Sequence, residues 1–159
     1  MKTHTIREYT QEDVTNLEDL LVELQQFEQF IDSDRLEGLE MAKDYLDELL
    51  SKTAKQKGKL FVVEIDEGIV GMIVIYIEKN YRTPLVDIEN YVFISDLILL
   101  PEFRQEHIAK DLLEKAHEFA KEHGLKTIMA RVFMNHKELQ PVYHRHGFKD
   151  YEVLVKKSD

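Results

Sequence analysis

Three apolar, β-branched runs follow one another between residues 60 and 100, and a chain that carries them must organise itself around a sheet. Leu60 to Ile65 and Ile69 to Ile77 are joined by Asp66-Glu67-Gly68, a turn in which the glycine supplies a positive φ, so the two runs read as a hairpin. Ile88 to Leu100 extends the sheet, and Pro101 ends that strand. The flanking segments change to the helical period. Thr5 to Tyr9 reads as a short strand, after which Thr10 with Asp13 three residues later opens a helix in the manner of a capping box. The apolar stripe of this helix is Val14, Leu17, Leu21, Leu24, Phe27 and Ile31. A second helix starts near Ser33 or Asp34 and presents Leu36, Leu39, Tyr45/Leu46 and Leu49 to the core. Beyond Pro101, Ile108, Leu112, Leu113, Ala116, Phe119 and Ala120 form a third stripe stopped by Gly124. Thr127 to Phe133 reads as a strand, a short helix ends at Gly147, and Tyr151 to Val155 reads as a last strand. The helix between the fourth and fifth strands permits a parallel crossover while the hairpin requires antiparallel pairing, so an α/β sandwich with a mixed sheet follows.

Composition narrows the function classes. With 159 residues, 43% of them hydrophobic, the chain supports one domain spanning 1–159. The only cluster of breakers is Asn80-Tyr81-Arg82-Thr83-Pro84. No window approaches the ~18 consecutive apolar residues of a spanning helix, and the N-terminus carries acidic residues where a secretory leader is apolar, so no membrane association and a cytoplasmic location are expected. The absence of cysteine removes disulfides, thiolate ligands and a cysteine acyl-enzyme together. None of Ser33, Ser51, Ser95 and Ser158 sits in a Gly-x-Ser-x-Gly elbow. His144 and His146 are two apart, and His107, His117 and His123 lack i, i+4 pairing, so no metal site is expected. The net charge of -10 is uneven: residues 1–50 hold 14 Asp/Glu against 4 Lys/Arg, and the remainder carries 17 of each. Such a block repels nucleic acid and is compatible with a cationic ligand as well as with solvated helix faces.

Two further segments carry chemistry. The first is Leu97-Ile98-Leu99-Leu100-Pro101-Glu102-Phe103-Arg104-Gln105-Glu106-His107-Ile108-Ala109-Lys110, a strand, loop and helix start; the second is Tyr143-His144-Arg145-His146-Gly147-Phe148. Together they resemble the acyl-CoA-binding signature of the GNAT superfamily of N-acetyltransferases. That family's phosphate-binding segment reads Arg/Gln-x-x-Gly-x-Gly/Ala. Arg104-Gln105-Glu106-His107-Ile108-Ala109 matches its first and last marked positions, while Tyr143 to Phe148 matches the later Tyr-x-x-x-Gly-Phe in full. His107 stands where the family has its first glycine, and Glu106 adds a negative charge that Arg104 and Lys110 offset. The element order over the whole chain is also that of the family. The resemblance therefore implies a single-domain three-layer sandwich, with a mixed, mostly antiparallel sheet of about six or seven strands and helices on both faces.

It further implies acetyl-CoA as cosubstrate. Helix-start N–H groups within 104–110 would meet the pyrophosphate, and the backbone of Leu97, Ile98 and Leu99 would pair with the pantetheine arm. Asn135 would contact that arm, although it stands one residue further from Tyr143 than is usual in the family. Tyr143 would protonate the leaving thiolate. Ser95-Asp96-Leu97 resembles the Glu-Asp-aromatic step of polyamine-type members, with Ser95 in place of the glutamate. Asp96, or Glu89 acting through water, is then the candidate base, and strand alternation would turn Asp96 away from the face of Ser95. The implied reaction is direct transfer of acetyl to a primary amine, on a cationic small molecule or a peptide. The alternative is a non-catalytic CoA-binding or protein-interaction module of the same fold. Homodimers are common in the family.

Overall fold

The structure, a computed structural model, describes residues 3–66, 68–80, 85 and 88–159. Glu67 of the expected hairpin turn and Tyr81 to Pro84 of the expected breaker loop lie outside these residues, as does the Glu106 side chain. Five strands form one sheet in the order β1-β2-β3-β4-β5. They are β1 (Thr5–Glu8), β2 (Lys59–Ile65), β3 (Gly68–Lys79), β4 (Asn90–Leu99) and β5 (Ile128–Ala130). The first four pair antiparallel and β5 joins β4 in parallel. Helices α1 (Val14–Gln29) and α2 (Gly38–Lys55) precede β2, α3 (Glu106–Glu122) makes the crossover from β4 to β5, and α4 (Leu139–Arg145) follows β5.

Central strands are apolar on both faces, so both faces must be covered. Leu17, Leu21, Leu46 and Leu49 of α1 and α2 pack with Leu60, Met72 and Val74 on one face. On the other, Ile108, Leu112, Ala116 and Phe119 of α3, with Tyr143 of α4, pack with Val63, Ile73, Ile75 and Ile94. Each fully buried leucine or isoleucine contributes about 2 kcal/mol of transfer free energy. The result is the expected three-layer α/β sandwich.

Local chemistry sets the element ends. The Asp13 carboxylate accepts from the Thr10 N–H at 2.7 Å, the expected capping interaction, and also receives both Arg7 amino groups at 2.8 and 2.9 Å. Because Arg7 Nε donates to Glu64 at 2.9 Å, one guanidinium ties β1, β2 and the start of α1 together. The buried amide of Gln25 donates to the Leu36 carbonyl at 2.9 Å, fixing the α1–α2 connection. Gly124 and Gly147, with φ of 65° and 90°, follow α3 and α4 where a left-handed residue ends a helix.

Four expectations are corrected. The left-handed residue of the hairpin turn is Asp66 (φ 49°), not Gly68; a short polar side chain tolerates this conformation. Helix α2 begins at Gly38, so Leu36 and Leu39 are exposed rather than in the core; the buried register runs Gly38, Ala42, Leu46 and Leu49. Strand β5 covers 128–130 instead of 127–133. Residues 151–155 form no strand, which leaves five strands among the described residues in place of six or seven. Both ends of this last segment are held elsewhere: Asp150 accepts from His144 at 2.7 Å, and Lys156 donates to Asp32 at 3.1 Å and to Asp34. Tyr151, Val153, Leu154 and Val155 between them are exposed.

The Arg7 cluster gives a stability prediction. Arg7 holds Asp13 below its ordinary carboxylate value, so this stabilisation is complete above pH ~3.8 and is lost as pH falls through the lower folded value. Replacing Asp13→Asn should cost about 2 kcal/mol at neutral pH, less than a fully buried pair because Arg7 is one-third exposed, and should flatten the acid side of a urea-denaturation series.

Candidate functional site

The sheet opens where β4 outruns β5. The parallel ladder ends at Ile94 opposite Ala130, while β4 continues to Leu99. On its other side β4 stays paired with β3 as far as Leu99 opposite Gly71. The Leu100 N–H donates to Val70 of β3, so the Leu99 carbonyl of the same peptide unit faces the open side. Strand alternation puts the Leu97 peptide groups on that side too, with those of Ile98 against β3.

A cleft of about 560 Å³ fills the opening. Its floor is Leu97, Ile98 and Leu99; one wall is Glu23, Leu24 and Phe27 of α1, and the other is Leu139, Val142 and Arg145 of α4. Arg104, Gln105 and Ala109 close the end at which α3 begins. Arg104 Nε donates to the Leu99 carbonyl at 2.9 Å, and the same guanidinium pairs with Glu138, so it spans the cleft from β4 to α4.

The structure separates the residues expected around this loop. Ile108 is buried in the α3 core and Lys110 is exposed. His107 is not part of the cleft wall; its ring lies 5.3 Å from that of His4. The N–H groups of Ile108 and Ala109 both donate to the Gln105 carbonyl, that of Arg104 to Pro101 and that of Gln105 to Phe103. Among the described residues, the donors at the start of α3 with no backbone partner are the N–H groups of Glu106 and His107, which precede the first intrahelical bonds. Asn135 is exposed and outside the wall, whereas its neighbour His136 is 7% exposed and lines it. Sequence reading missed His136 and Phe27 as lining residues; an apolar stripe says that Phe27 turns inward but not what it faces.

Asp96 and Tyr143 lie on opposite faces of the sheet. Ser95 is an extra residue in β4, because Val74 pairs with Asp96 and Ile75 with Ile94. The bulge breaks the alternation that would have turned Ser95 and Asp96 apart, and Ser95 Oγ donates to the Asp96 carboxylate at 2.9 Å. Tyr45 of α2 donates to both Asp96 oxygens, at 3.0 and 3.2 Å. Burial raises the Asp96 carboxyl above its ordinary value, against the hydroxyl hydrogen bonds and the Arg35 and Lys52 charges. Burial also raises Glu28, with Arg35 opposing. Tyr143 is 4% exposed, stacked edge-on against Phe148 with centroids 5.1 Å apart, and no described protein group hydrogen-bonds its hydroxyl. Burial first, and then the Asp96 charge, raise the Tyr143 phenol well above its ordinary value, so it is neutral at physiological pH.

Known proteins place this geometry. The family model described as the acetyltransferase (GNAT) family matches residues 17–148. No curated protein matches the chain in sequence. Among solved structures, a predicted acetyltransferase with acetyl-CoA from Clostridium acetobutylicum is 18% identical, with a TM-score of 0.73 over 98% of this chain and 96% of its own. An aminoglycoside N-acetyltransferase, AAC(6')-Iy, in complex with CoA is 19% identical, with a TM-score of 0.73 over 100% and 96%. The same enzyme in complex with the bisubstrate analogue CoA-S-monomethyl-acetylneamine gives 0.71 at 19% identity over 99% and 98%. A GCN5-related N-acetyltransferase from Ralstonia eutropha gives 0.74 at 18% identity over 98% and 99%.

The raised Asp96 carboxyl predicts a stability change that needs no substrate. Between pH ~3.8 and its raised folded value, the folded protein binds more protons than the unfolded chain, so stability falls as pH rises through that window. Asp96→Asn, which can still accept from Tyr45 and Ser95, should raise the thermal midpoint at neutral pH, and the gain should vanish below pH ~3.8. A variant less stable than wild type at pH ~7 would show that the ionised carboxylate is net stabilising.

Proposed function

The chain belongs to the GNAT family of acetyltransferases, and we propose that it transfers acetyl from acetyl-CoA directly to a primary amine of a cationic small molecule or peptide. The observation that carries this reading is the cleft at the β4–β5 divergence, which offers a strand edge, an apolar floor and a helix start together. The pantetheine amides pair with the Leu97 and Leu99 peptide groups, and Arg104 leaves the Leu99 carbonyl to meet the phosphates. Gln105, the Glu106 and His107 N–H groups and Lys110 complete the anionic end, with Ala109 and Ile108 packing the helix beneath it. Relatives of the same fold support this placement, since they were crystallised with acetyl-CoA or CoA.

Chemistry follows from the two buried groups. The amine attacks the thioester carbonyl; as the C–N bond forms and the C–S bond breaks, sulfur takes the electron pair. Tyr143 supplies the proton to sulfur, and the burial that raises its phenol also raises the basicity of the departing thiolate. Asp96 takes the amine proton, directly or through water, its raised carboxyl bringing it nearer to the working pH. On the acceptor side, the half-buried acids Glu23, Glu28 and Asp32 favour a positive substrate. The aminoglycoside-type analogue bound by one relative is an acceptor of that chemistry.

The second reading, a CoA-binding module without turnover, is favoured by one observation: four of the loop's N–H groups are already bonded within the protein. Acetyl-CoA at ~100 times its dissociation constant should stabilise the fold by about 2.7 kcal/mol, read as an upward shift of the thermal midpoint; no shift would overturn both readings. A screen of polyamines, aminoglycosides and lysine peptides then separates them, since only a catalyst releases thiol. Tyr143→Phe should lower kcat on the order of 10²-fold or more with acetyl-CoA affinity retained, and reversing the charges of Glu23, Glu28 and Asp32 should raise KM for the amine alone.

A further inference from the structure

The helix that His136 precedes holds its ring in one protonation state. Nδ1 accepts the Leu139 N–H at 3.0 Å, and the His136 carbonyl accepts from the Gln140 N–H at 3.2 Å, so this residue satisfies two of the donors that the start of α4 leaves open. A nitrogen that accepts carries no proton, which makes the ring the neutral tautomer with hydrogen on Nε2. Phe27 of α1 packs on it with centroids 4.7 Å apart. No described protein group meets Nε2, and His136 lines the cleft, so its remaining polar atom is a spare donor on the cleft wall.

We propose that His136 is a positioning residue whose neutral ring clamps the start of α4, the helix that carries Tyr143, against the cleft, and that protonation releases the clamp and lowers affinity for acyl-CoA. The inference rests on acyl-CoA occupying this cleft. Protonated Nδ1 becomes a donor facing the Leu139 N–H, so the cap is lost and two donors oppose each other. The surrounding charges do not rescue the cation. Glu138 of α4 attracts it, but Glu138 is paired with Arg104, which repels it. Lys137 and Arg145 add positive charge on the α4 side, and Glu23 faces the cleft from α1. Burial already holds the imidazole below its ordinary value of 6.5. The neutral ring's contribution is therefore complete above that value and lost as pH falls through the lower folded value.

The test compares wild type, His136→Asn and His136→Ala at about pH 8 and about pH 5.5, either side of the ordinary imidazole value. Calorimetric titration with acetyl-CoA reads the cleft, and the thermal midpoint without ligand reads the cap. Asparagine can accept the Leu139 N–H and does not titrate. Wild-type affinity should fall roughly tenfold further on acidification than that of His136→Asn, the slope from the ligand's own phosphates being common to both. His136→Ala should bind weakly at both pH values. The ligand-free midpoint of wild type should likewise drop more than that of His136→Asn. Matching pH profiles for wild type and His136→Asn would overturn the clamp. So would a wild-type affinity that rises on acidification relative to His136→Asn, which would mark the cation as a phosphate partner. Absence of binding in all three proteins would overturn the functional reading and the affinity effect, with the midpoints still deciding whether His136 titrates against α4.

Discussion

Everything at the site depends on a shortage of partners along β4. A strand in the middle of a sheet satisfies its peptide groups on both sides, and β4 does so only as far as Ile94. Beyond that point its open edge must be met by something other than a strand, and in this structure the Arg104 guanidinium meets it at the Leu99 carbonyl. The same divergence leaves room for a cleft between α1 and α4 whose floor is Leu97, Ile98 and Leu99. A polar edge inside an apolar wall suits a ligand that alternates amide and methylene groups, and the long arm of CoA has that character.

The bulge at Ser95 sits at the first residue past the end of the β5 ladder. By inserting one residue it lets β4 keep its register with β3 while turning Asp96 toward α2, where the Tyr45 hydroxyl bridges both carboxylate oxygens. Tyr143 is held from the other face by α3 and α4. A buried carboxyl and a buried phenol are thus held in separate layers, and the Asp96 charge still reaches the Tyr143 phenol. Burial acts on both in the same sense, disfavouring the anion, which keeps a donor protonated and a carboxylate basic.

Helices with a clear stripe and strands with continuous apolar runs could be read from the chain because each periodicity is local. Leu17, Leu46, Ile73 and Leu112 were inward by pattern, and they are inward in the fold. Leu36 and Leu39 failed because a stripe does not show where its helix begins, and Tyr151 to Val155 failed because strand propensity does not supply a partner. Leu97, Ile98, Leu99, Arg104, Gln105 and Ala109, singled out through a motif whose spacing is contiguous, all line the cleft. Phe27 and His136 could not be singled out, since they meet across more than a hundred residues of chain.

The sequence by itself determined the layers, the order of elements as far as α4, the Thr10–Asp13 capping box ahead of α1 and the family to which the strand–loop–helix at 97–110 points. Those features arise from interactions within a turn, a strand or a single junction. Only the tertiary structure decided that β5 stops opposite Ile94, that Ser95 is a bulge, that His107 turns toward His4 and that His136 rather than Asn135 lines the cleft. Each of these depends on which distant group satisfies a backbone donor or fills a buried space. That choice is made by packing and desolvation among elements far apart in the chain, and no local pattern encodes it.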